Sequence, residues 1–398
     1  DWGQDTLAAR VGESRYPWLA ANLFVAGTRT HPAWVRPWTM VQRGGVRIAV
    51  IGVALRTTPE VVLVGRTAGL EYGPEAPAIN EAARAARAAG ADFVVVTAHV
   101  GALCEQPGRA PEELSTGCSG ELLEVARAIT EPVDLIVGGH SHARVMTTEN
   151  GIPIAEASSY TRAYSITDLE KRDGRAAVVA RAIRTPYADE VTPDTQVARI
   201  VAAFEREARP LTERPIARLG SELDREGGEF ALGNLMADAF RVQTGAQASI
   251  INNGSIRAEL PAGTVTWGHF FELQPFANAL VTTEVTGAQL RAALENAVSG
   301  GRVDAHVSGM TVTWDSTAPS GSRIREIRLS SGRVVRDTDR VTLGLSEFVA
   351  TGGDRYTSLA AGRTTRTALI DLDALIAYVQ SLPQPVAAPA VGRWRIVR

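Results

Sequence analysis

DFVVVTAHVG (Asp92–Gly101) and VDLIVGGHSH (Val133–His142) share one layout, a β-branched apolar run that ends in a histidine. Short runs of this composition predict strands buried on both faces, the pattern of a parallel sheet. A third run, Val46–Val53 (VRIAVIGV), follows the Gly44-Gly45 turn. Between them, Pro77–Ala89 is Ala- and Arg-rich and stopped by Gly90, and Glu121–Ile129 also reads as helix. Apolar strands alternating with helices predict an α/β layer architecture. Shorter strands around Ile152–Ala155, Ala163–Leu169 and Ala176–Ala182 add a β-rich edge.

In an open α/β sheet, ligands gather at the carboxyl ends of the strands. Imidazole is the commonest metal ligand, and neighbouring strand ends can bring several together. His99, His140 and His142 are therefore candidate ligands, although H-x-H alone is a weak signal. Three neutral ligands with no carboxylate would be an unusual site for a hard metal. His31, His269 and His306 lack the strand-end setting and read as surface or core histidines.

The chain has 398 residues, and at roughly 100–200 residues per domain this predicts two domains. Hydrophobic residues make up 45% and charged residues 21%, a globular composition that excludes disorder for most of the chain. The net charge of −3 gives no basic surplus to argue for nucleic acid or an anionic membrane as partner. No apolar run reaches the ~18–20 residues of a helical membrane span. Lys171 is the only lysine, so the cations are almost all arginine. Cys104 and Cys118 bracket a turn-rich segment; a disulfide there would imply an oxidising compartment, and two unrelated thiols fit the residues equally well.

A boundary follows near Thr192-Pro193-Asp194, which reads as a helix start with Thr192 as N-cap and Pro193 in the first turn. Val197, Ile200, Val201 and Phe204 fall on one helix face, and Pro210 and Pro215 are expected to end the helix. In the second half, Ala231–Thr244 is an amphipathic helix closed by Gly245, and Ser249–Ile251 is a strand. Thr286-Gly287-Ala288-Gln289 opens a helix with a capping box, and Ile324–Leu329 with Arg333–Val335 reads as a hairpin. The turn Asn252-Asn253-Gly254-Ser255-Ile256-Arg257 could hold a phosphate or carboxylate with its N–H groups and arginine. A plain Asn-Gly type I′ turn with a solvated arginine is the alternative. Phe276 and Phe348 lie near polar turns, where aromatics stack on planar ligands or simply join the core.

These segments, in this order, resemble the 5′-nucleotidase family: a metallophosphoesterase domain followed by a nucleotide-binding C-terminal domain. In the first half the resemblance rests on DWG (Asp1–Gly3), PWLAAN (Pro17–Asn22), TAHVG around His99, and VDLIVGGHSH. In the second it rests on ALGNLMADAFR (Ala231–Arg241), NNGSIRAELPAG (Asn252–Gly263), ELQPFANAL (Glu272–Leu280) and ATGGDRY (Ala350–Tyr356). It implies an α/β fold: a partial metallophosphoesterase β-sandwich flanked by helices over 1–191, a connecting helix over 192–212, and an α/β nucleotide-binding domain over 213–398.

The activity so implied is a two-metal phosphoesterase acting on a small-molecule nucleotide, with Zn²⁺ or Mn²⁺ as suitable ions. His99 and His140 would ligate one metal and His142 the other, with Asp1 matching the aspartate that orients a catalytic histidine. Phe276 and Phe348 would sandwich the base, Asp354 would accept from the ribose hydroxyls, and Asn252 and Asn278 would contact the nucleoside. Arg257 and Arg225 would bind phosphate, Ser255 replaces a glycine, and Glu229 stands where some relatives carry arginine. The family's upstream DxH, GD and GNHEFD-like motifs are not in this sequence, so the chain taken literally is expected to have little or no phosphatase activity. Its parent, about a hundred residues longer in front, is expected to be the hydrolase. The resemblance also implies a periplasmic or secreted protein, which agrees with a Cys104–Cys118 bridge. UDP-sugar hydrolase, 2′,3′-cyclic phosphodiesterase and a non-catalytic nucleotide binder remain open alternatives.

Overall fold

The computed structural model describes residues 3–172 and 175–397. It divides into two compact units, one comprising residues up to Pro59 with Gly65–Pro193, the other Glu60–Val64 with Asp194 onward. The orienting aspartate expected at Asp1 lies outside the described residues.

The first unit is built on six strands: β1 (Trp38–Arg43), β2 (Val46–Val53), β3 (Phe93–Ala98), β4 (Leu135–Val137), β5 (Arg144–Glu149) and β6 (Ile152–Ala157). Their order in the sheet is β1-β2-β3-β4-β6-β5. The four central strands run parallel, and β1 and β5 close the edges antiparallel. The interior of the sheet is Val, Ile and Ala because helices cover it: Ile51, Val94, Val96 and Ile136 are buried with Ile79 and Ala83 of the helix Glu75–Ala88 and Leu122 and Leu123 of Glu121–Ala128. Alanine serves the first helix twice, through its high helix propensity and by letting the backbone come close to the sheet. Cys104 and Cys118 sit opposite each other in the ribbon Leu103–Gln106/Thr116–Ser119 and form a disulfide.

The helix beyond the boundary spans Thr195–Thr212, which corrects two expectations. Its cap is Asp194, not Thr192: the carboxylate accepts from Gln196 N at 2.8 Å and Val197 N at 3.0 Å, and a negative charge suits the helix N-terminus. Pro210 does not stop it, because a proline in the last turn removes a single ladder bond. The apolar face holds no buried residue, and Phe204 is 66% exposed.

The second unit carries a five-stranded sheet of β7 (Ala248–Asn252), β8 (Ala279–Thr286), β9 (Ala305–Ser308), β10 (Arg340–Ser346) and β11 (Arg363–Ile370), ordered β9-β7-β10-β8-β11. Alternate residues feed two cores: Ile250 and Val281 pack with Leu290, Leu294 and Trp314, whereas Ile251 and Leu280 pack with Leu235, Phe240 and Leu375. The capping box forms as the sequence predicts, with Thr286 Oγ1 accepting from Gln289 N at 3.1 Å and Gln289 Oε1 from Thr286 N at 2.7 Å. The hairpin after Leu329 is cut down to one bridge, Arg328 with Val334.

Two polar groups brace this unit. Glu229 accepts from Asn234 Nδ2 at 2.8 Å and from the backbone N–H groups of Gly392, Arg393 and Trp394 at 3.0–3.1 Å. Burial works to raise its carboxyl pKa, but these hydrogen bonds win and lower it. Arg393 in turn pairs with Asp238 at 2.7 Å. His306, fully buried against Phe230, finds no hydrogen-bond partner for either ring nitrogen among the described residues. Burial depresses its pKa from 6.5 to about 4. The folded state therefore favours the neutral ring, and the unfolded chain takes up the proton first as pH falls. Stability should decline between pH 6.5 and 4, by roughly 3 kcal/mol at most from this residue, and be insensitive to it above that window. Melting curves of wild type and His306→Leu at pH 7.5 and 5 check this, since the variant should lose less on acidification.

Candidate functional site

Strand register brings the first group of residues together. Thr97 of β3 and Ala155 of β6 both pair with Val137 of β4, forming one last rung. His99 lies two residues past that rung, His140 three, and Glu156 one. His99 Nε2 and His140 Nδ1 stand 3.3 Å apart. Both rings are shifted below the usual imidazole range, first by partial burial and then by a neighbouring ring, His140 acting on His99 and His142 on His140. Neutral imidazoles with available lone pairs are what a metal ion requires. His142 packs edge-on against Tyr160, with ring centroids 5.7 Å apart. Among the described residues, no three His, Cys, Asp or Glu side chains converge as a ready-made metal cluster.

The loop that carries these histidines is strained. His140 and His142 have φ of 78° and 60°, a left-handed conformation that costs an L-residue about 1–2 kcal/mol. Between them, Ser141 Oγ bonds the Ala102 carbonyl at 2.7 Å and Glu156 Oε1 at 2.6 Å. Glu156 also accepts from Ala102 N at 3.2 Å and Ala143 N at 3.3 Å. It is completely buried, and burial raises its carboxyl pKa against these hydrogen bonds. Sequence reasoning missed it. The available signal was a lone acid in the apolar strand Ile152–Ala157, where an unpartnered carboxylate would not be tolerated.

In the second unit, one sheet edge again collects the site. β7 and β10 run parallel and end there, while the antiparallel β8 begins there. Asn252 closes β7, Phe348 follows β10, and Phe276 and Asn278 precede β8. Asn252 Nδ2 donates to Asp354 Oδ2 at 2.6 Å, and Ser255 Oγ donates to Asn252 Oδ1 at 2.7 Å, so the hydroxyl fixes the amide's orientation. The Asn-Gly turn is a short 3₁₀ turn, Asn253–Ser255, and no hairpin forms at it. Arg257 is half-buried, donates to Gly254 O at 3.1 Å and stands 5.8 Å from the Phe276 ring centroid. Phe348 packs on the Gly353-Asp354 turn, where a Cβ on Gly353 would come within 2.4 Å of its ring. Phe276 is 44% exposed. Asn278 is anchored from below, donating through Nδ2 at 3.0 Å to the buried Asp371, which also holds Gln274 at 2.7 Å. Burial raises the Asp354 carboxyl despite the Asn252 bond. Arg225 is exposed on the loop ahead of Ala231–Thr244 and takes no part in this chain of contacts.

Gly101 lets the two histidine loops meet. A Cβ there would lie 2.6 Å from both Gly139 O and Ser141 Cβ. Gly101→Ala should therefore force the loops apart and cost roughly 1–3 kcal/mol of stability. Urea unfolding monitored by tryptophan fluorescence measures it, and an unchanged midpoint would refute the close packing.

Residues 211–361 match the family model described as 5′-nucleotidase, C-terminal domain. The chain is 28% identical over 391 residues to Endonuclease YhcR of Bacillus subtilis, covering 96% of this chain and 31% of that protein. It is 23% identical to Cell wall protein Lmo0130 of Listeria monocytogenes, covering 91% of this chain and 50% of that one. It thus spans a third to a half of these curated relatives. In fold it is similar to the crystal structure of a 5′-nucleotidase precursor from Thermus thermophilus, with TM-score 0.87 and 24% identity over all of this chain and 82% of the other. The family match falls in the second unit, which carries a 5′-nucleotidase C-terminal domain, and the likeness in fold extends over the whole chain.

Proposed function

We propose that the protein hydrolyses nucleoside 5′-monophosphates to nucleoside and phosphate, using divalent metal ions held in the first unit and a nucleoside site in the second. The approach of His99 Nε2 to His140 Nδ1 at neighbouring strand ends carries this reading. Two nitrogens on one tetrahedral ion with bonds of about 2.05 Å stand about 3.3 Å apart, so the donor pair fits a zinc-like ion. His142 would serve a second ion. Divalent ions bound there would supply Lewis-acid charge to the phosphoryl oxygens and make water more acidic. The remaining ligands are proposed, by resemblance, to be carboxylates of the DxH and GD type.

The second-unit contacts support the nucleoside half of this reading. Phe276 and Phe348 present ring faces for the base, and Asp354 presents an acceptor for ribose hydroxyls. Asn278, steadied by Asp371, meets the base, and Arg257 meets the phosphate side, with Arg225 as a further candidate. Residues 192–212 are proposed as the connector between the domains. The Cys104–Cys118 bridge and the likeness to a cell-wall protein support a periplasmic or secreted location. No helix of the described residues is long and apolar enough to cross a membrane.

The test is turnover of AMP, UDP-glucose and 2′,3′-cyclic AMP by the native full-length gene product with Mn²⁺ or Zn²⁺. AMP should be the preferred substrate, and EDTA should abolish its hydrolysis. Phe276→Ala should raise KM for AMP about 5- to 150-fold with little change in kcat, the equivalent of losing one stacked base. An unchanged KM would remove the stacking role, and preference for either other substrate would reassign the activity.

A further inference from the structure

The buried carboxylate of Glu156 has no part in the reading above, yet it touches both histidine loops. Its Oε2 accepts from Ala102 N, three residues past His99. Its Oε1 bonds Ser141 Oγ, the residue between His140 and His142, and accepts from Ala143 N immediately after them. The Ser141 hydroxyl reaches across to the Ala102 carbonyl and closes the triangle. No other buried acid among the described residues of this unit does this: Glu75 accepts from Arg56 N, away from the loops.

We propose that Glu156 is the positioning residue of the histidine centre, the clamp that holds the left-handed conformations of His140 and His142 and sets their rings against His99. The inference rests on the metal reading for its purpose, but the clamp itself is a property of the protein without metal. Positive φ is uncommon for any residue but glycine, and here two such residues flank a single serine. They persist where surrounding contacts over-determine them, and Glu156 supplies those contacts from a strand already locked by β4 on one side and β5 on the other. Both oxygens of Glu156 accept from a backbone N–H, Oε1 from Ala143 and Oε2 from Ala102, so glutamine, with one oxygen, keeps one of these bonds and sets its NH2 against the other donor; it should restore the clamp only in part. Alanine should not restore it.

The experiment compares wild type, Glu156→Ala, Glu156→Gln and Ser141→Ala by two readouts. Histidine-ring ¹H–¹⁵N spectra are recorded without metal, and Co²⁺ is titrated while its visible absorption is followed. Glu156→Ala and Ser141→Ala should shift or broaden the His140 and His142 resonances and leave those of His31 and His269 in place. Glu156→Gln should shift the same resonances, by less than Glu156→Ala does. Co²⁺ affinity should fall about 10- to 100-fold in Glu156→Ala and by less in Glu156→Gln. Ser141→Ala removes only the bridging hydroxyl, so it carries the test if Glu156→Ala does not fold. Undisturbed histidine resonances in both disruptive variants, or a Glu156→Gln protein disturbed more than Glu156→Ala, would overturn the proposal. A wild-type protein that binds no Co²⁺ would remove the metal reading, while the metal-free spectra would still decide the clamp.

Discussion

Parallel pairing of Phe93–Ala98 with Leu135–Val137 obliges both strands to release the chain at the same edge of the sheet, one strand spacing apart. Everything distinctive in the first unit follows from that. Each strand needs a return connection, which supplies the helices that cover the sheet. Each exit is free of the ladder, which lets backbone N–H groups and histidine rings turn toward one point. The third parallel neighbour, Ile152–Ala157, shares their last rung, runs two residues past it along β5, and delivers a carboxylate under the loops, not a ligand above them. Position past the rung separates the roles: one residue beyond it Glu156 is buried, and two or three residues beyond it His99 and His140 are exposed.

The second unit solves a similar problem with mixed strand directions. Two strands end and an antiparallel one begins at a single edge, so residues far apart in sequence meet there. The contacts form a chain from the Phe276 ring through Arg257, the Gly254 carbonyl, Asn252 and Asp354 to Phe348. Its polar members are held by buried partners, Ser255 for Asn252 and Asp371 for Asn278. These supports fix the cluster's geometry in advance, so a ligand bound there would be spared the entropy of ordering it.

Strand and helix periodicity, the histidines at strand ends and the capping box at Thr286 were legible in the sequence because each depends on residues within a few positions. The supports were not. Glu156 acts on residues 54 and 15 positions away, and Glu229 on residues 163–165 positions away. In sequence each is one more acid among 44 acidic residues. The helix cap slipped from Thr192 to Asp194 for a local reason of a different kind: both side chains suit the position, and only the backbone path shows which one reaches the free N–H groups. Pro210 shows the converse, since a proline breaks a helix only where turns remain to be lost.

The hold of Glu229 on residues 392–394 bears on how the second unit comes into being during synthesis. The helix Ala231–Thr244 is made early, yet the carboxylate ahead of it waits for partners that leave the ribosome more than 160 residues later. Arg393 likewise reaches back to Asp238 and to the carbonyl of Val307. Until then the acid must stay hydrated, which keeps the sheet's helical face from closing over it. One glutamate therefore makes the closing of this face depend on a segment synthesised more than 160 residues after it.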